Sequence, residues 1–300
     1  SGACAACRVR VLDGELLYPD NEIPPALTPG EAARGFAVIC NARARTDLTI
    51  QLEELPGQKA IRVRNLPCRV AARKQLAHDV VALKLRLPGN ERLDYLAGQY
   101  IDFLLSDGRR RSFSLATAPG GDYLELHVRL IDNGQFSQFI NTELQDDHLL
   151  RFEGPLGGFY LRESNKPALL IAGGTGIAPI HAMLQQAVEV QRQSRPLHLY
   201  WGVRSQRDLY LHDALRKLAA YWPTLTYTPV LSEPDHDTED EQWRGRTGWV
   251  HQAAAQDHPD LSDFEVYMSG PPPMIDAARN DYVSQGLNLE DLHFDAFDYA

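Results

Sequence analysis

From Val80 onward, apolar and polar residues alternate with period two in four short runs. These are "VVALKLRL", "GQYIDFLL", "RRRSFSLAT" and "DYLELHVRL", separated by Pro, Gly, Asp and Asn. Alternation of this kind marks half-buried strands, and several at short spacing predict a small antiparallel β-barrel. After "RESNKP" (Arg162 to Pro167) the pattern changes. Apolar strands "ALLIAGG", "LHLYWGV", "LTYTPVL" and "FEVYMSG" alternate with helix-length segments, the βαβ arrangement of a parallel sheet covered by helices. A Pro-containing polar stretch, "LEELPGQKAIRVRNLP", separates the barrel from a cysteine-bearing N-terminal piece and reads as a linker. The fold class expected is multi-domain: an N-terminal piece over residues 1–55, a barrel over 66–162 and an α/β domain over 163–300.

The formal net charge of −10 argues against a nucleic-acid partner, which needs a basic face to displace counterions. The longest stretch without charged side chains, Pro167 to Val188, is interrupted by glycines, prolines, a His and two Gln, so it predicts strand, turn and helix and no membrane span. Four cysteines in 300 residues do not make a disulfide framework, which points to a reducing, cytoplasmic compartment. The acidic stretch "SEPDHDTEDEQWRGR" reads as a solvated loop.

Two short motifs carry candidate chemistry. Gly173, Gly174 and Gly176 follow an apolar strand and precede a helix, where the backbone can approach a ligand and the helix N-terminus favours negative charge. A pyrophosphate suits that turn, although the spacing is GGxGxxP and not GxGxxG, and a packing role alone would also explain it. The second motif is "RSFS", Arg111 to Ser114. Period two places Arg111 and Phe113 on one face and Ser112 and Ser114 on the other. An Arg can clamp a phosphate and an aromatic can cover a planar ring. In isolation, the tetrapeptide equally describes an exposed Arg beside a core Phe.

Taken with "NGQFS" (Asn133 to Ser137), "GPLGGF" (Gly154 to Phe159) and "GPPPM" (Gly270 to Met274), these segments resemble the ferredoxin–NADP reductase superfamily. The resemblance implies a flavin barrel in which Arg111 contacts an FAD phosphate, Phe113 stacks on the isoalloxazine and Ser114 bonds near the reactive nitrogen. It further implies FAD contacts from Ser112, His127, Val128, Gly134, Gln135, Phe136 and Ser137. Gly173, Gly174, Thr175 and Gly176 would hold the pyrophosphate of NADH or NADPH, with Gly270, Pro271 and Met274 at the nicotinamide. The superfamily often has Cys where this chain has Ser269. A C-terminal aromatic can cover the flavin face, and Phe297 is the first candidate, Tyr299 the second. Arg204 and Arg207 are candidates for a 2′-phosphate.

The resemblance also interprets the opening "SGACAAC". Plant-type 2Fe-2S proteins use C-x4-C-x2-C and a distant fourth Cys. Cys4 and Cys7 supply the x2 pair and Cys40 the distant ligand, which predicts a partial β-grasp ferredoxin domain in a chain that begins inside it. Three thiolates leave such a site open and poorly loaded. Zinc would want a fourth Cys or paired His, a thioredoxin-like pair would want a βαβ context, and Cys68 reads as a buried thiol. Ferredoxin, flavin barrel and nicotinamide domain in that order resemble the FAD-type oxygenase reductases and the CDP-6-deoxy-3,4-glucoseen reductase-like group. The activity implied is hydride transfer from NAD(P)H to FAD, then single electrons through the cluster to an oxygenase or sugar-dehydratase component. The alternatives are a cluster-free NAD(P)H:flavin reductase or diaphorase, and a non-catalytic flavin-binding sensor.

Overall fold

The stretch expected to be a linker contributes to the longest strand among the described residues. Arg64–Ala77 runs 14 residues and buries Leu66, Cys68 and Val70 on one face at period two. Pro67 and the basic residues between the apolar ones hid that alternation, so the linker reading is corrected for Arg64–Pro67. The structure, a computed structural model, describes residues 2, 7–52, 61–105, 107–190, 194–234 and 243–297. Cys4, Tyr299 and the acidic segment 235–242 lie outside them.

Arg64–Ala77 is central in a six-stranded antiparallel sheet. The order is Leu124–Arg129, Val80–Arg86, Arg64–Ala77, Leu149–Leu156, Tyr100–Leu104, Arg110–Ser114. Leu83, Leu85, Ile101, Phe103, Leu126 and Phe152 fill its inside. The two outer strands are joined at one bridge, Leu115 to Leu126. The expected barrel is therefore a rolled sheet, not one laddered closed.

The second sheet is parallel throughout. Its order is Arg246–Thr247, Leu225–Leu231, Leu197–Val203, Ala168–Gly173, Glu265–Gly270, Leu292–Ala296. Ala168–Gly173 and Glu265–Gly270 are buried at every position, as strands covered on both faces must be. Leu292–Ala296, just before the candidate aromatic Phe297, is an edge strand of this sheet. Because Ala168–Gly173 has neighbours on both sides reached by crossovers in opposite directions, a crevice opens at the carboxyl ends of these strands.

The N-terminal residues form a small antiparallel sheet in which Arg8–Asp13 pairs with Phe36–Val38 and Thr49–Gln51. Among the described residues, these three strands, the short pair Leu16–Leu17 with Arg43–Ala44 and a five-residue helix, Pro29–Ala33, do not make a complete β-grasp. This piece is pinned to the parallel sheet by a buried carboxylate. Glu31 accepts from Arg8 at 2.9 Å and pairs with Arg279, and both guanidiniums lie over the Phe294 ring. Among the described residues, no helix is long and apolar enough to cross a membrane.

Candidate functional site

The Arg110–Ser114 strand and the turn before helix Gln135–Thr142 face one another across a cavity of about 410 Å³. Arg111, Ser112, Phe113, Ser114, His127, Val128, Gly134, Gln135, Phe136, Ser137, Thr175 and Phe297 all line it. Gly134 is the N-cap and no side chain caps the helix, so unpaired N–H groups of its first turn remain for an anion. A Cβ at Gly134 would lie 3.1 Å from the Ile131 carbonyl oxygen, so only glycine fits there without displacement. Ser137 has a structural task as well, because its Oγ accepts the Ile131 N–H at 2.7 Å.

Within RSFS the four side chains separate. Arg111 is half-buried at the cavity wall and Phe113 packs against Phe136, centroids 5.1 Å apart, leaving part of its ring facing the cavity. Ser112 is exposed and donates to Asp102 Oδ1 at 2.6 Å. Ser114 is buried and donates to Asp295. Sequence reasoning missed Asp295. Burial pushes this carboxyl up to about 7, against the opposing effect of the Ser114 hydrogen bond. Phe297 is anchored by its N–H to the Gly270 carbonyl at 2.9 Å.

A second groove of about 550 Å³ lies at the carboxyl ends of the parallel strands. Gly173, Gly174, Arg204, Pro271 and Met274 line it, with Gly202, Ser232 and an exposed Trp249. The glycines permit close approach between neighbouring turns. A Cβ at Gly173 would lie 2.7 Å from Met274 Sδ, and one at Gly270 3.0 Å from the Gly173 Cα. Gly174 adopts φ +54, the left-handed region that glycine enters without penalty. Gly176 packs on the Ser269 carbonyl, where a Cβ would overlap it. Ser269 is fully buried and its hydroxyl has no hydrogen-bond partner, so it stands under the turn with a donor unspent.

Arg129, also missed from sequence, lines both spaces. Its guanidinium lies 3.4 Å from where a Gly174 Cβ would stand, and its Nε is 3.4 Å from Asp79 Oδ2. Arg204 shares that carboxylate at 3.4 Å and is 3.7 Å from Asp208. Arg207 is exposed and lines neither space.

The residues present fit a flavin dinucleotide and a nicotinamide dinucleotide in adjoining spaces: each has an anion-receptive turn, and the first has a ring-covering aromatic. Of the three candidate cluster ligands, Cys7 and Cys40 are among the described residues and Cys4 is not. Cys7 Sγ accepts the Cys40 N–H at 3.3 Å. Among the described residues, however, no group of three ligating side chains includes these two, where a 2Fe-2S centre takes four.

Known proteins agree with this division. The family described as oxidoreductase FAD-binding domain matches residues 67–160, and the oxidoreductase NAD-binding domain matches residues 170–280. CDP-6-deoxy-L-threo-D-glycero-4-hexulose-3-dehydrase reductase of Yersinia pestis is 39% identical over 99% of this chain and 87% of its own length. The toluate 1,2-dioxygenase electron transfer component of Pseudomonas putida is 29% identical, over 99% and 86%. The crystal structure of Amycolatopsis cytochrome P450 reductase GcoB superposes with TM-score 0.77 at 29% identity, covering 99% of this chain and 88% of that one. The chain belongs to the FAD- and NAD-binding reductases of the ferredoxin-reductase superfamily and is an NAD(P)H-dependent oxidoreductase.

Proposed function

We propose that the chain passes a hydride from NAD(P)H, seated in the 550 Å³ groove, to FAD in the 410 Å³ cavity, and delivers the electrons to a separate protein. The observation that carries this is the meeting of the two spaces at Arg129, which lines both, between the RSFS strand and the glycine turn. FAD, when bound, supplies the conversion of a two-electron donor into single-electron delivery. The protein supplies orientation. Arg111 and the uncapped turn at Gly134 take the flavin phosphates. Gly173 and Gly174 admit the coenzyme pyrophosphate beside Arg129. Ser114 and Asp295 form a proton-bearing pair at the cavity floor and Phe297 covers the exposed side, while Ser269, fully buried and lining neither space, supports the turn at Gly176 from below. On this reading residues 66–162 hold FAD, 163–300 hold the coenzyme, and 1–55 form the exit side. Arg204 is already held by Asp79 and Asp208, which favours NADH over NADPH. The partner is an oxygenase or sugar-dehydratase component, a reading supported by the names of the relatives above.

A second reading places a 2Fe-2S centre held by Cys4, Cys7 and Cys40 between FAD and the partner. The approach of Cys7 to Cys40 favours it. One experiment separates these readings: anaerobic visible spectra of the purified, FAD-loaded chain, before and after NADH and NADPH, with iron assayed in parallel. Flavin bands that bleach on mixing support the reductase. Iron-dependent brown absorbance left after bleaching supports the cluster, and its absence leaves the cluster-free reductase. Bound FAD that neither coenzyme reduces overturns the catalytic reading in favour of a sensor.

A further inference from the structure

Arg129 is not the sole link between the coenzyme groove and the flavin cavity. The carbonyl of Gly174, at the mouth of the groove, accepts the Trp201 indole N–H at 2.9 Å. Trp201 is fully buried, and its ring meets that of Tyr210 edge-on, centroids 5.2 Å apart at 84°. Tyr210 then crosses to the other sheet. Its hydroxyl reaches His127 Nδ1 at 3.3 Å, and the two rings are again edge-on. His127 lines the flavin cavity.

The direction of these bonds follows from the far side of the imidazole. His127 Nε2 faces Glu125 Oε1 at 3.2 Å, and that hydrogen bond is the main reason the Glu125 carboxyl sits below its ordinary range. An ionised carboxylate only accepts, so Nε2 carries a proton, and in the neutral imidazole Nδ1 is then the acceptor. To that neutral ring the Tyr210 O–H donates. The path runs Gly174, Trp201, Tyr210, His127, Glu125, and each polar link has one donor and one acceptor.

We propose that Tyr210 is a positioning residue for hydride transfer: with Trp201 it keys the glycine turn of the coenzyme groove to His127 in the flavin cavity, and so sets the distance and tilt between the two rings. This rests on the reading of the two spaces as coenzyme and flavin sites. Other contacts hold the sheets together independently. His181 Nδ1 lies 2.9 Å from the Ala116 carbonyl oxygen, and Gln185 Oε1 accepts the Ala118 N–H at 3.1 Å. Loss of one hydroxyl thus leaves the assembly intact and releases its alignment. A misplacement of about 1 Å at the reacting atoms can cost about a hundredfold in rate.

The test is stopped-flow reduction of the full-length, FAD-loaded chain by NADH. Tyr210→Phe, Trp201→Phe and the double variant are compared with the parent. Tyr210→Phe is expected to keep its FAD and its coenzyme affinity within about threefold, while the limiting rate of flavin bleaching and the coenzyme–flavin charge-transfer band fall about tenfold or more. The double variant is expected to lose no more than the worse single one, as members of one unit do. An unchanged limiting rate in Tyr210→Phe overturns the proposal, as does a double variant whose losses multiply. If Trp201→Phe does not fold, the Tyr210→Phe rate alone decides. A parent whose bound FAD no coenzyme reduces overturns the assignment of the two spaces and this inference with it. A parent reduced no faster than Tyr210→Phe overturns the inference alone.

Discussion

A carboxyl sealed from water keeps its proton at a pH where an exposed one has lost it. Asp295 is buried, and a carboxyl pushed up to about 7, against an ordinary 3.8, means the folded chain binds a proton across that interval which the unfolded chain releases. The stability this group contributes is present below 3.8 and is lost as the pH rises to about 7. Asp295→Asn cancels the dependence. Its unfolding free energy should therefore gain on the parent's as pH rises through that window, by up to about 4 kcal/mol. Calorimetry of both proteins across the window checks this, and a constant difference would refute it. Ser114 could be read from the RSFS motif, but its partner could not. The two residues are far apart in sequence, and only the packing of the edge strand over the rolled sheet brings them together.

At the scale of elements, the glycine turn is a joint between two strands as much as a ligand site. Gly176 lies so close to the Ser269 carbonyl that any side chain must push the following helix, Ile177–Leu184, off the neighbouring strand. Gly176→Ala should raise the KM for NADH by about tenfold or more, on the scale of effects seen when positioning is lost, while FAD content stays at the parent's level. Steady-state kinetics with a flavin assay reads both, and loss of FAD alone would show that the two sites are not separated as described. The turn was legible because a βα turn needs glycine locally. The strand Arg64–Ala77 was not. Its alternation is diluted by Pro67 and by basic residues whose stems cover the sheet, so its register is set by pairing with Val80–Arg86 and Leu149–Leu156.

Across the whole molecule, the N-terminal piece is held by a buried ion triad. Glu31 is 3% exposed and sits between Arg8 and Arg279, the latter 2% exposed. Burial lowers the Arg8 pKa and the Glu31 charge opposes that shift. Glu31→Gln leaves two cations facing one another without compensation, a change that costs about 3–5 kcal/mol when a buried pair is broken. Limited proteolysis should then cleave the N-terminal piece faster than in the parent, with FAD retained by the remainder. Equal cleavage rates would show that the triad does not hold this piece. The triad also brings the residues beside Cys7 to the strand Leu292–Ala296, which carries Asp295.

Local pattern was enough to establish the two-part architecture, the RSFS strand and the glycine turn, because each depends on periodicity or turn chemistry within about ten residues. The superfamily could be read from the order of those motifs. What tertiary structure alone decided are the pairings made across layers: Asp295 with Ser114, Arg129 between both sites, Arg204 held by Asp79, Tyr210 on His127, and Cys7 beside Cys40. Those contacts depend on how two sheets and an N-terminal piece settle on one another, and no short stretch of sequence contains both partners.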